Sequence, residues 1–146
     1  MRDRALCERG SVLALAPAAL LVLVVLAALA VDSATEYLAR RELAAAADAA
    51  ANDAVTFGLD EATFRETGEF VLDPVRADEA VRRALAARGS DVVTHAEVDV
   101  TADADAGTVT VTLRSRAHLV FSPAVPGAPD DVPVVARATA DVYVGD

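Results

Sequence analysis

Residues 12–31 read VLALAPAALLVLVVLAALAV, twenty residues without a charge or a strongly polar side chain. Coiled as a helix at about 1.5 Å per residue, the run covers roughly 30 Å, the thickness of a bilayer's hydrocarbon core. A helix buried in a water-soluble domain rarely needs so long a run without a polar stripe. The run from Val12 to Val31 is therefore expected to cross a lipid bilayer once. The rest of the chain divides around it. Residues 1–10 form a short stub, 11–31 the membrane helix, 32–57 its continuation out of the membrane, and 58–146 a small polar domain.

Charge separates these parts. The stub holds Arg2, Arg4 and Arg9 against Asp3 and Glu8, which leaves 10 basic and 21 acidic residues beyond Val31, a net charge near −11. Such a domain repels nucleic acid and anionic headgroups, so nucleic acid is not an expected partner. The arginines set the orientation. Arg9 nearly touches the start of the span, whereas on the far side Arg40 and Arg41 begin nine residues past Val31. The bias toward positive charge in cytoplasmic flanks puts the stub in the cytoplasm and the acidic domain outside.

The alternative for this end is a cleaved secretion signal, since Ala28-Leu29-Ala30 fits the small-residue cleavage pattern. Signal cores run about 7–15 apolar residues, shorter than this one, which favours an uncleaved anchor. The one cysteine, Cys7, precedes the apolar run, where a lipoprotein cysteine would follow it. With a single cysteine, an intramolecular disulfide and a cysteine-based metal cluster are both excluded.

No helix breaker lies between Val31 and Phe57, and Ala, Leu, Glu and Arg dominate that stretch. Glu36 stands four residues before Arg40, the favourable order for an ion pair on a helix. Val31, Ala34, Leu38 and Ala45 recur at helical spacing. One nearly continuous helix from Ser11 to Thr56 follows, with Gly58 as its C-terminal stop. Ala44–Ala54 has small side chains all round, which suits close packing but also a plain stalk.

Further on, Thr63–Thr67 and Glu69–Leu72 suggest a hairpin around Gly68, ended by Asp73-Pro74. Asp78–Leu85 reads as a short helix, acidic first and basic later, capped by Gly89. Three stretches then alternate with period two: Val92–Val100, Val109–Phe121 and Val134–Tyr143. Their connections, Thr101–Gly107 and Ser122–Asp131, are short enough for an antiparallel meander. The third strand would turn Ala136, Ala138 and Ala140 inward, leaving a shallow face for the alanine-rich helix. The expected fold class is α+β, a long N-terminal helix laid on a small antiparallel sheet.

The succession Arg9-Gly10-Ser11, the apolar run, Ala30-Val31-Asp32-Ser33, Tyr37-Leu38-Ala39-Arg40-Arg41-Glu42-Leu43 and Ala45–Ala50 resembles the TadE/TadG-like family of Flp (tight-adherence) pilus assembly proteins, over about residues 9–55. The resemblance implies a pilin-like plan and a non-enzymatic minor pilin-like component of a Flp/Tad-type pilus or related envelope secretion assembly. Its partners would be other proteins of that assembly. One position departs from the pattern. Processed Flp-type prepilins have a glutamate five residues after the cleaved glycine, and counting from Gly10 that place holds Leu15. Prepilin processing, and a major-pilin role with it, are not expected.

Chemistry finds few candidates. His95 and His118 are the only histidines and fall on predicted wet faces, away from each other. Asp99, Asp103 and Asp105 flank the first turn, but lack the glycine and closing glutamate of a calcium loop. No catalytic, cofactor-binding or metal residue is assigned, and no cofactor is implied. The competing reading of the whole chain is a membrane-tethered or secreted extracellular binding domain. The two part over Ala44–Ala54: a pilin-like component packs that helix, and a tethered binder uses it as a spacer.

Overall fold

The computed structural model describes residues 4–68 and 71–142, with side chains along the first helix from Leu15 onward. The side chains of Arg2, Arg4, Cys7 and Arg9, the pair Glu69-Phe70 and Tyr143 lie outside the described residues.

One helix, α1 (Arg4–Phe57, 54 residues), carries both the apolar run and the segment beyond it. At about 1.5 Å per residue it is about 80 Å long. It passes through Pro17, whose ring leaves the carbonyl four residues earlier without its usual donor. The Glu36–Arg40 ion pair forms at 2.5 Å. Past the apolar run, the helix buries Ala39, Leu43, Ala46, Ala47, Ala50, Ala51 and Ala54, three and four residues apart on one face. Ala34, Leu38 and Ala45 are exposed, so the packed stripe runs along a different face from the one their spacing suggests.

Gly58 ends α1, but without the left-handed backbone of a glycine cap, for its φ is not positive. A side chain there would overlap the Ala54 carbonyl oxygen and come within 3.1 Å of the Ala77 Cα. The glycine is required by the close approach of the helix Pro74–Ala86, which carries Ala77.

The expected hairpin at 63–72 is absent, and α2 (Glu61–Thr67) occupies its first half. Asp60 caps it, its carboxylate accepting from Ala62 N at 3.0 Å and Thr63 Oγ1 at 2.7 Å. Glu61 pairs with Arg65 at 2.8 Å, and Gly68 closes the helix at φ 77°. Among the described residues, what pairs across this segment is one bridge, Leu59 with Leu72. Local capping wins because, among the described residues, no neighbouring strand offers a ladder.

The next helix, α3, starts earlier than its charge pattern suggests. It runs Pro74–Ala86, with Asp73 accepting from Val75 N at 2.9 Å. Asp78 and Glu79 therefore fall in its second turn. Gly89 does not cap it; Ala87 does, in right-handed helical geometry, its N–H donating to the Arg83 carbonyl.

The first predicted strand is also divided. Its start forms one helical turn, α4 (Asp91–Thr94), and the strand β1 covers only Glu97–Asp103. The turn is held by Thr94 Oγ1 donating to the Ser90 carbonyl at 2.7 Å, and it buries Val93 rather than Val92. Ser115 Oγ donates to the Val92 carbonyl at 2.7 Å, taking the place of a ladder bond.

With β2 (Thr108–His118) and β3 (Asp131–Asp141), β1 makes a three-stranded antiparallel meander in sequential order. Register pairs Val100 with Val111 and Val111 with Ala138. Pro133 is tolerated because β3 is an edge strand. One sheet face is solvated, where Thr110 and Thr139 hydroxyls meet at 2.9 Å. The other carries Val109, Val111, Leu113, Val134, Ala136 and Ala138 into the core, against the alanine stripe of α1. Alanine on both sides lets helix and sheet approach closely, and Leu43, Leu72 and Val81 fill the margins. The fold is α+β, as expected: a long apolar helix followed by a small antiparallel sheet.

Candidate functional site

Two surfaces follow from this arrangement, and both lie on α1. The first is its N-terminal half. From Leu15 through Leu29 the large apolar side chains of Leu15, Leu20–Leu26 and Leu29 are 50–65% exposed, with nothing of the protein packed on them. In water that exposure is costly, at roughly 25 cal/mol per Å2 of apolar surface. A helix bare on every side over this length is a candidate membrane span.

The second is the point where the helix leaves the apolar run. Asp32 is the first charged residue after Val31, and its carboxylate turns toward the β2–β3 connection. Oδ1 accepts from Val120 N at 2.8 Å and Phe121 N at 2.9 Å, and Oδ2 from Ser122 N at 2.7 Å. Three consecutive amides thus converge on one carboxylate, as they do at a helix N-terminus. The Phe121 hydrogen bond, with those of Val120 and Ser122, outweighs desolvation and holds the Asp32 carboxyl below its usual range. Beside it, Thr35 Oγ1 donates to the Val31 carbonyl at 3.0 Å, satisfying the hydroxyl within the helix.

The connection is itself tightly knit. Leu119 N donates to the Asp130 carbonyl at 2.9 Å and closes its base. A 3-10 turn, Ser122–Ala124, and Gly127 at φ 85° shape the tip. The Asp32 contact is the feature that sequence reading missed. The signal was visible, since Asp32 breaks the polarity pattern at the end of the apolar run. Its partners, however, lie 88 to 90 residues further on, beyond any periodicity.

The residues weighed for chemistry are dispersed. His95 is not on a strand but at the end of α4, its Nδ1 3.0 Å from the Asp91 carbonyl oxygen. His118 ends β2, with Nδ1 3.6 Å from Asp131 Oδ1. A shallow cleft holds Asp91, His95 and Ser115, three residue types of a nucleophilic triad. The Ser115 hydroxyl donates its hydrogen bond to the Val92 carbonyl, and His95 bonds within its own turn, so they are not aligned as nucleophile and base. Asp103 uses its carboxylate to hold the turn, accepting from Asp105 N at 3.1 Å and Ala106 N at 3.0 Å. Among the described residues, no three His, Cys, Asp or Glu side chains converge on a possible metal position.

The family model of Flp pilus-assembly TadE/G-like proteins matches residues 10–56. The matched stretch is contained in α1 and includes the apolar run, Asp32 and the buried alanine stripe. The sheet and the smaller helices lie outside it. No curated protein and no solved structure matches the chain. The N-terminal third of the protein is thus similar to a family involved in Flp pilus assembly.

Proposed function

We propose that this protein is a non-enzymatic, membrane-anchored, minor pilin-like component of a Flp/Tad-type pilus or a related envelope secretion assembly. The observation that carries the reading is the coincidence of the family match with one uninterrupted helix, α1, which is bare along its apolar half and packed under a sheet along its alanine half. In this reading residues 1–10 are a cytoplasmic stub, 11–31 cross the bilayer, 32–57 carry the helix outward, and 58–146 form the extracytoplasmic domain. The partners are lipid along Val12–Val31 and other proteins of the assembly.

Burial of the Ala46–Ala54 face favours this over a tethered binding module. A stalk has no need to bury alanines, whereas a helix that scaffolds a small domain does. The alanines also let the sheet sit close to the helix axis, giving a slim cross-section suited to packing among similar subunits.

The test is deletion of the gene in its own host. Surface pili, counted by electron microscopy, should be lost or strongly reduced. The full chain should restore them, and the domain exported without residues 1–31 should not. Normal piliation of the deletion strain would overturn the assignment.

A further inference from the structure

We propose that the connection Leu119–Asp130 is a second membrane contact, seated in the headgroup region of the bilayer beside the exit of α1 through Val120, Phe121 and Val125. The inference rests on the anchored reading of α1.

Position is the first argument. Asp32 follows the last apolar residue of the span, and its carboxylate holds the amides of residues 120–122 at 2.7–2.9 Å. The loop backbone is therefore fixed within about one helical turn, roughly 5 Å, of the end of the hydrocarbon-length run. A side chain starting there lies at the level where α1 would leave the acyl region.

Composition is the second. Residues 119–129 read LVFSPAVPGAP, eleven positions without one charge in a chain that is 25% charged. Val120, Phe121 and Val125 are 58%, 45% and 59% exposed. Three exposed apolar side chains on one uncharged loop leave apolar surface that water does not favour.

The third argument is the backbone. Near lipid, each unpaired N–H costs several kcal/mol. From Leu119 to Val125 every N–H has a protein acceptor or is missing at proline. Leu119 donates to Asp130 O, and residues 120–122 donate to Asp32. Pro123 has none to give, Ala124 donates to Phe121 O, and Val125 donates to Ser122 O. Pro126 and Pro129 remove two more donors. The N–H groups of this stretch therefore need no partner from the medium when its apolar side chains enter the headgroup boundary.

Charge indicates how the contact is made. The acidic domain is repelled by anionic lipid, so insertion is apolar and does not depend on basic attraction.

The chain contains no tryptophan, so single-tryptophan variants report cleanly. Full-length Phe121→Trp, Leu23→Trp and Val75→Trp would be reconstituted in phosphatidylcholine vesicles with brominated acyl chains. Val75 is exposed on α3, whose first turn adjoins Gly58 at the far end of α1. Leu23→Trp and Phe121→Trp should be quenched severalfold more than Val75→Trp, with blue-shifted emission. Added phosphatidylglycerol should increase neither, and a loop signal that rises with it would overturn apolar insertion. Val125→Trp is a second reporter should Phe121→Trp fail to fold. Quenching of Leu23→Trp with none at the two loop reporters overturns the loop contact and leaves the anchor standing. No quenching at Leu23→Trp overturns both. Equal quenching at Val75→Trp overturns a contact confined to the loop.

Discussion

The Asp32 Oδ1 atom lies 2.9 Å from the Phe121 amide, 89 residues further along the chain. That contact, with its neighbours at Val120 and Ser122, joins the end of the apolar run to the β2–β3 connection. It replaces water at a carboxylate that would otherwise be solvated, and it fixes a loop that has few side-chain contacts of its own.

Protonation should release it. The folded Asp32 carboxyl titrates below its ordinary value of 3.8, so its contribution is complete above that value and is lost as pH falls through the depressed one. Hydrogen-exchange protection at the amides of residues 120–122 should fall in that acidic window. Asp32→Asn should show reduced protection that no longer varies with acid, and Asp32→Ala the least. Unchanged protection in Asp32→Ala would show that the loop holds itself.

A leucine scan of Ala44–Ala54 should follow the helical stripe. Leucine at Ala46, Ala47, Ala50, Ala51 or Ala54, all buried, should cost about 1–3 kcal/mol through overpacking. Leucine at the exposed Ala44 or Ala45 should stay within about 0.5 kcal/mol. Thermal unfolding of the detergent-extracted protein reads both. A flat profile would return the segment to the role of a stalk.

Three glycines should respond differently to alanine. Gly58→Ala forces a Cβ to within 3.1 Å of the Ala77 Cα and should cost about 1–3 kcal/mol. Gly68→Ala meets open space but must hold φ near 77°, at about 1 kcal/mol. Gly89→Ala has both space and an ordinary φ, and should be neutral or gain up to about 1 kcal/mol. Denaturant unfolding would rank them.

Topology and maturation can be read together. On intact cells Cys7, the one thiol, should resist an impermeant maleimide and react only after permeabilisation. The intact mass of the extracted protein should begin at Met1 or Arg2. Efficient labelling of intact cells would reverse the orientation, and a chain beginning at Val31 would replace the anchor with a secreted domain.

What the sequence made legible was what periodicity encodes. The apolar run, the unbroken helix beyond it and the meander appear in the structure because each rests on a pattern of five or more residues. The misread segments are short. At 61–67 and 91–94 one or two turns of helix compete with a strand, and the choice falls to local hydrogen bonds, the Asp60 carboxylate cap and Thr94 Oγ1 on the Ser90 carbonyl. Val92, Thr94 and Ala96 alternate as a strand would, yet Val93 is the buried one. The Asp32 contact was hidden for another reason: a carboxylate's sequence neighbours carry no trace of amides brought to it by the closure of the fold.

Between Pro17 and Gly58 α1 holds neither proline nor glycine, so in the anchored reading most of the span and the outer half move as one rod. From Asp32 to Phe57 the helix extends about 39 Å. A tilt of the anchor by about 20°, ordinary for a membrane helix, would swing the outer end of the domain sideways by about 13 Å. The lipid environment and lateral neighbours of the anchor would therefore act as a steering input, turned by a lever into displacement of the exposed sheet.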